Sequence, residues 1–175
     1  MIKTIALVIV AALALLLIYA ATRPDSFRVE RSTRIQAPPE KIYALIHDLK
    51  GFNRWNPYEK KDPAIKGQYS AVTAGAGARY GWESDKVGVG SMEITEVAAP
   101  SRVAMKLDFV KPFEAHNQVE FRLRPEGGAT QVSWAMQGPS PFVSKLIGVF
   151  ISMDRMIGQD FEDGLANLKS LVEQH

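Results

Sequence analysis

The sequence predicts an α+β fold: a curved antiparallel sheet grips one long C-terminal helix, and a single N-terminal transmembrane helix precedes them. Three observations carry this expectation. From Phe142 to Glu173, apolar residues recur at steps of three and four, the spacing of one helix face. Five segments between residues 78 and 137 alternate apolar with polar residues, as half-buried antiparallel strands do. The first 22 residues carry no charge between Lys3 and Arg23.

The N-terminal run comes first. Its uncharged stretch of about 19 residues spans about 28 Å as a helix, close to the thickness of a bilayer's hydrocarbon core. It has no polar face to turn to water, so a helix of a soluble domain is disfavoured. A cleaved secretory signal has a shorter apolar region, about 7–15 residues, followed by a small-residue cleavage site. Tyr19-Ala20-Ala21-Thr22 matches such a site only loosely. The segment 1–22 is therefore read as an uncleaved anchor, meeting the membrane through residues 4–22. Lys3 and the short tail before the span suggest a globular part outside the cytoplasm, although Arg23 and Arg28 flank the other side. A linker over 23–26, stiffened by Pro24, keeps the domain of residues 27–175 near the membrane surface.

Phe27–Gln36 alternates and reads as a first strand, near an edge because of its charges. After Ala37-Pro38-Pro39-Glu40, residues Ile42, Tyr43, Leu45, Ile46 and Leu49 follow at helical spacing. A second short helix over Leu49–Arg54 ends near Trp55-Asn56-Pro57-Tyr58, because Pro57 biases its predecessor away from helix. Glu59–Lys66 is expected to be a charged surface connection, and Gln68–Ser70 a short strand. Ala74-Gly75-Ala76-Gly77-Ala78 is a turn and no phosphate loop, since it lacks the Gly-Lys-Ser/Thr ending. The five alternating segments follow as a meander: Ala78–Ser84, Ser91–Ala98, Val103–Val110, His116–Arg124 and Thr130–Gln137. Their inward faces are rich in Trp, Tyr, Phe and Met, which adapt to irregular apolar shapes.

The chain closes with the long helix. Leu146, Phe150, Met153, Ile157, Phe161, Leu165 and Leu168 form one stripe, and Asp154, Arg155, Gln159, Glu162 and Asp163 lie opposite. Ser140 is the expected cap, with Pro141 at the first helical position. If unbroken, the helix would span roughly 45–50 Å. Three glycines interrupt it. Gly148 marks a bend or a break. Gly158 and Gly164 either allow close helix–sheet packing or leave room for a ligand.

Composition limits the function classes. A net charge of +2 without basic runs interleaved with aromatics implies no nucleic-acid partner. The absence of cysteine removes disulfides, thiolate nucleophiles and cysteine metal sites. The three histidines, His47, His116 and His175, show no paired metal-ligand spacing, and no Gly-x-Ser-x-Gly elbow occurs. Neither a metal nor a cofactor is expected.

Several segments together resemble a known group: Trp55-Asn56-Pro57, Gly75-Ala76-Gly77-Ala78, Tyr80-Gly81-Trp82-Glu83, Gly88-Val89-Gly90-Ser91-Met92, Thr130-Gln131-Val132-Ser133-Trp134, and Met153-Asp154-Arg155-Met156-Ile157-Gly158. In this order they are similar to the START-like superfamily, in particular the polyketide cyclase/dehydrase-like branch often labelled SRPBCC. The likeness covers about residues 27–173. It implies a helix-grip (Bet v 1-like) fold with a deep cavity between sheet and C-terminal helix, and an apolar small molecule as partner. No shared catalytic set carries over, so the cyclase name transfers a fold more safely than an activity.

In such a hollow fold, inward aromatics and methionines are divided between core and cavity wall. The candidate ligand-binding residues are Trp55, Tyr80, Trp82, Met92, Met105, Leu107, Phe109, Asn117, Phe121, Trp134, Phe150 and Met153. Glu83 points outward by alternation. Asn117 shares its phase with Val119 and Phe121, so it either hydrogen-bonds a ligand or marks the wet start of its strand. Glu96 shares its phase with Met92 and Ile94; if buried and unpaired it would have a raised pKa and serve as a general base. With His116 and Asn117 it makes up the weak catalytic candidates. The leading reading is a membrane-anchored binder of a lipid- or polyketide-like molecule. The second is a cyclase or dehydratase on an apolar substrate. The third, a protein-interaction or chaperone-activator-like module, would need an exposed apolar patch on the outer strand faces, which read as polar. The pattern leaves oligomeric state open.

Overall fold

Residues 1–174 are described by a computed structural model of the chain; His175 lies outside the described residues. The apolar N-terminal run is helix α1 (Ile2–Ala21), long and apolar enough to cross a membrane. Strand β1 (Ser26–Ile35) follows, then the short helices α2 (Pro39–Ile46), α3 (Leu49–Asn53) and α4 (Pro57–Lys61). Strands β2 (Lys66–Tyr69), β3 (Arg79–Ser84), β4 (Gly88–Ala98), β5 (Arg102–Lys111), β6 (Ala115–Glu126) and β7 (Ala129–Pro139) come next. Helices α5 (Phe142–Phe150) and α6 (Met153–Glu173) close the chain.

All seven strands join one antiparallel sheet in the order β1-β7-β6-β5-β4-β3-β2. The expected meander runs from β2 to β7, and the first strand pairs with the last. Register shifts in β4, between Val89 and Gly90 and between Ile94 and Glu96, are bulges, which bend a strand and sharpen its twist. The sheet curls over α6, and one apolar core joins its inner face to α2, α3 and α6.

The expected single helix from Phe142 is two helices. Ile151 and Ser152 are extended between them, and the Ser152 hydroxyl accepts the Arg155 N–H at 3.2 Å. A serine side chain that caps a new helix competes with continuing the old one. Gly148 lies one turn earlier, inside α5. Ser140 is not the cap; its N–H donates to the Asp25 carbonyl at 2.7 Å, and Pro141 holds the cap position of α5. A second correction concerns Glu59–Lys66, whose first three residues belong to α4 and whose last opens β2. Asn56 caps that helix through the Tyr58 N–H at 3.2 Å, and Pro57 suits its first turn.

Two glycines of α6 let the helix approach its neighbours. A Cβ on Gly164 would lie 2.6 Å from Cζ3 of Trp134 and 3.0 Å from Cδ of Pro57, and one on Gly158 would strike the Arg31 guanidinium. Arg31 points from β1 onto α6, where its guanidinium donates to Glu162 at 2.7 Å and to Asp154 at 3.0 Å. Both glycines thus serve packing and leave no space for a ligand. Helix α1 stands apart from the core. Only its C-terminal end is covered, at Ala20 and in part at Leu16, where it packs against α5.

Candidate ligand-binding cavity

Alternation aims every second side chain of β3 to β7 at the concave face of the sheet. Where α6 lies close, these side chains pack. Where the chain has turned away into α5, they border a cavity of about 820 Å³ between sheet, α4, α5 and α6, within the size of known small-molecule sites. Tyr80 and Trp82 of β3, Met92 of β4, and Met105, Leu107 and Phe109 of β5 line it. Asn117 of β6, Trp134 of β7 and Met153 of α6 complete the candidate residues that the structure brings together there.

Three candidates lie elsewhere. Trp55 and Phe121 are fully buried in the packed core, with ring centroids 5.8 Å apart. The Trp55 indole N–H donates to the Leu45 carbonyl at 3.0 Å. Phe121 does face inward, but α3 covers it with Phe52 at a centroid distance of 6.0 Å. Phe150 is 73% exposed, because the helix break lets α5 leave the stripe that α6 continues.

The polar candidates also separate. The bulge between Ile94 and Glu96 shifts the alternation, so Glu96 turns outward and pairs with Arg102 at 2.7 Å; a buried general base is excluded there. His116 sits at the rim with its side chain exposed. Its Nδ1 lies 2.7 Å from Asp108 and its Nε2 3.3 Å from Glu114, and the Asp108 hydrogen bond, partly opposed by desolvation, raises its pKa above the usual imidazole range. Asn117 is buried in the wall, and its carboxamide fits over Gly138, where a Cβ would collide with it.

The cavity also has a polar end that sequence reasoning missed. Lys61 of α4 donates to Asp160 of α6 at 2.6 Å, and the Tyr80 hydroxyl donates to Glu59 at 2.6 Å. Tyr58 stands beside Asp160. Burial, reinforced by that carboxylate, pushes its phenol pKa far up, and burial with the Glu59 hydrogen bond does the same at Tyr80. Both phenols therefore stay protonated at neutral pH and can donate a hydrogen bond. The usable signal was Asn56-Pro57, a helix start that would have placed Tyr58, Glu59 and Lys61 on one short helix. Two further donors, the indole N–H groups of Trp82 and Trp134, are buried without an acceptor among the described residues. No group of three or more His, Asp and Glu among those residues is placed to hold a metal.

Comparisons with known proteins agree with this architecture. A family model described as "Polyketide cyclase / dehydrase and lipid transport" matches residues 26–173. Protein CV1439 from Chromobacterium violaceum is similar in structure, with a TM-score of 0.60 and 16% identity, over 86% of this chain and 99% of its own. Protein MLL2253 from Mesorhizobium loti is similar with a TM-score of 0.59 and 19% identity, over 85% and 98%. DynU16, described as a protein of the dynemicin biosynthetic locus, is similar with a TM-score of 0.60 and 15% identity, over 86% of this chain and 48% of its own. At such identities the likeness is one of fold. A comparison with curated proteins found no match.

Proposed function

The chain belongs to the polyketide cyclase / dehydrase and lipid transport family, and from that premise we propose that it is a membrane-anchored binding protein for an apolar small molecule with one polar end. The START-like helix-grip fold expected from the sequence is present. One observation carries the reading: the cavity of about 820 Å³ is walled by aromatic and methionine side chains and polar at one end. The apolar walls favour a lipid- or polyketide-like body by removing its surface from water. Glu59 and Asp160 offer acceptors and Tyr58 a donor, while the Tyr80 proton is already given to Glu59, so the polar end suits a hydroxyl or carbonyl group. α1 is read as the anchor, keeping the cavity where such a molecule is concentrated.

The test is native mass spectrometry of the full-length protein in nanodiscs, with extraction and identification of whatever stays bound, repeated on Trp82→Ala. A defined apolar molecule bound one-to-one, and lost in the variant, is the expected result. A protein that retains nothing from its own membrane would overturn the reading.

The buried polar end favours a second reading, a cyclase or dehydratase acting on an apolar substrate. Tyr58, kept protonated, would hydrogen-bond a substrate oxygen there, and the Asp160 carboxylate would be held in place by Lys61. Chemical alteration of the extracted ligand by the wild type, and not by Tyr58→Phe, would select it.

A further inference from the structure

We propose that α5 and the loop between β5 and β6 lie on the bilayer, so that the cavity opens onto lipid and takes up its ligand without passage through water. This rests on the reading of α1 as a membrane anchor. It goes further by fixing which face of the domain meets the membrane.

The first observation is how α1 joins the domain. Only four residues, Thr22 to Asp25, separate it from β1, and the last of them is pinned to the start of α5. The Asp25 carbonyl accepts the Ser140 N–H at 2.7 Å, and its carboxylate pairs with Lys145 of α5 at 2.5 Å. α1 also packs directly against α5 near Leu16 and Ala20. α5 therefore lies beside the end of the span.

The second observation is the chemistry of that helix. α5 has no acidic residue, and its one base, Lys145, is turned to Asp25. Val143 is 61% exposed, and Phe142, Ile147 and Ile151 are exposed too. With Phe150 they make a contiguous apolar surface, which a domain facing only water seldom keeps. Covering it with the protein's own membrane removes that surface from water, and the neighbouring span already fixes it there.

The third observation is that this surface borders the cavity. Val143 and Ile147 of α5 line its mouth together with Pro112 and Phe113 from the opposite loop. Phe113 is 70% exposed, and Val110 beside it is exposed as well. Each side of the opening thus projects apolar side chains outward, beside the exposed Glu114 and His116 of the β5–β6 side. An apolar ligand that left the bilayer by any other route would have to expose its whole surface to water.

The chain has no cysteine, so single labels can be placed cleanly. Full-length Val10→Cys, Phe113→Cys, Phe150→Cys and Glu126→Cys would each carry an environment-sensitive fluorophore. They would be reconstituted in phosphatidylcholine–phosphatidylglycerol nanodiscs whose acyl chains bear a doxyl quencher. Glu126 is the control: it is exposed at the far end of β6, roughly 36 Å of strand from Ala115. Quenching at 113 and 150 several-fold above that at 126 is the expected result. Quenching at 10 with 113 and 150 no different from 126 would overturn the docked rim while leaving the anchor. Quenching at 113 and 150 without any at 10 would keep the docked rim and remove the span. No quenching at any of the three would overturn both.

Discussion

Two halves of one sheet face carry equally apolar residues and end in opposite states. Toward the β6–β7 turn the face is filled: Trp55 and Phe121 meet Phe52 edge to face, and Phe52, with Trp134 stacked on Phe161 at 4.1 Å, forms the boundary with the cavity. Toward Leu107, Phe109 and Asn117 the same face borders the cavity. The difference lies in the cover. α3 and α6 bring their own aromatics to the first half, while over the second the chain has broken at Ile151 and α5 leads away toward α1. Alternation decides which side chains face inward; it does not decide whether anything comes to meet them.

The largest effect should separate the two halves outright. Phe121→Ala removes a fully buried ring from the filled half and is expected to cost about 3–5 kcal/mol. Phe109→Ala removes a half-buried ring from the hollow half and is expected to cost about 1 kcal/mol or less. Denaturant unfolding of the full-length protein in detergent measures both, and equal losses would break the comparison. The glycines of the two C-terminal helices sharpen it. Gly164→Ala drives a methyl group against Trp134 and Pro57 and should cost about 1–3 kcal/mol. Gly148→Ala meets nothing within 4 Å in α5 and should instead stabilise by about 0.5–1 kcal/mol. Thermal melts that shift in the same direction for both would show that the two helices are packed alike.

The elements were readable in the sequence because their periods are local. Val103 to Val110 alternates within one strand, and Ile157 to Leu168 repeats within one helix, so both appear without knowledge of the rest. The misjudged positions all depend on something distant or on a single irregular residue. Counting puts Glu96 in phase with Met92 and Ile94, and one bulge takes it out of that phase. Phe150 continued the helical stripe by spacing, but Ser152 started a new helix. Trp55 and Phe121 have the same character as Trp82 and Phe109, and only tertiary cover divides core from wall. The polar end was hidden for the same reason. Asp160 is 99 residues from Lys61, and nothing local to either marks the contact.

A smaller effect follows from filling the hollow half deliberately. Leu107 is half-buried in the wall, one side against the core and the other on the cavity, and Leu107→Trp projects a larger side chain into that open volume. Stability should stay within about 0.5 kcal/mol of wild type. Retention of the bound molecule in native mass spectrometry should fall sharply. If the variant instead loses stability like a core substitution, the wall at Leu107 is packed and the contrast between the halves fails.

The smallest effect lies at the rim, where charge pairs replace aromatic packing. The Asp108 carboxylate raises the pKa of His116 above its usual value of about 6.5. A raised folded-state pKa means that the protonated imidazole stabilises the folded rim. That contribution is complete below about pH 6.5 and is lost as pH rises through the folded-state value. Because His116 is solvent-exposed, screening keeps the effect local to the β5–β6 loop. An NMR titration of the imidazole should therefore give a higher midpoint in wild type than in Asp108→Asn. Amide protection in Lys111–Ala115, corrected for the intrinsic rise of exchange with pH, should fall across the wild-type midpoint, with no change in protection at Phe121 in the filled half. Identical titrations in the two proteins would mean that the hydrogen bond does not hold the rim, and that loss of packing toward the mouth is not replaced by charge.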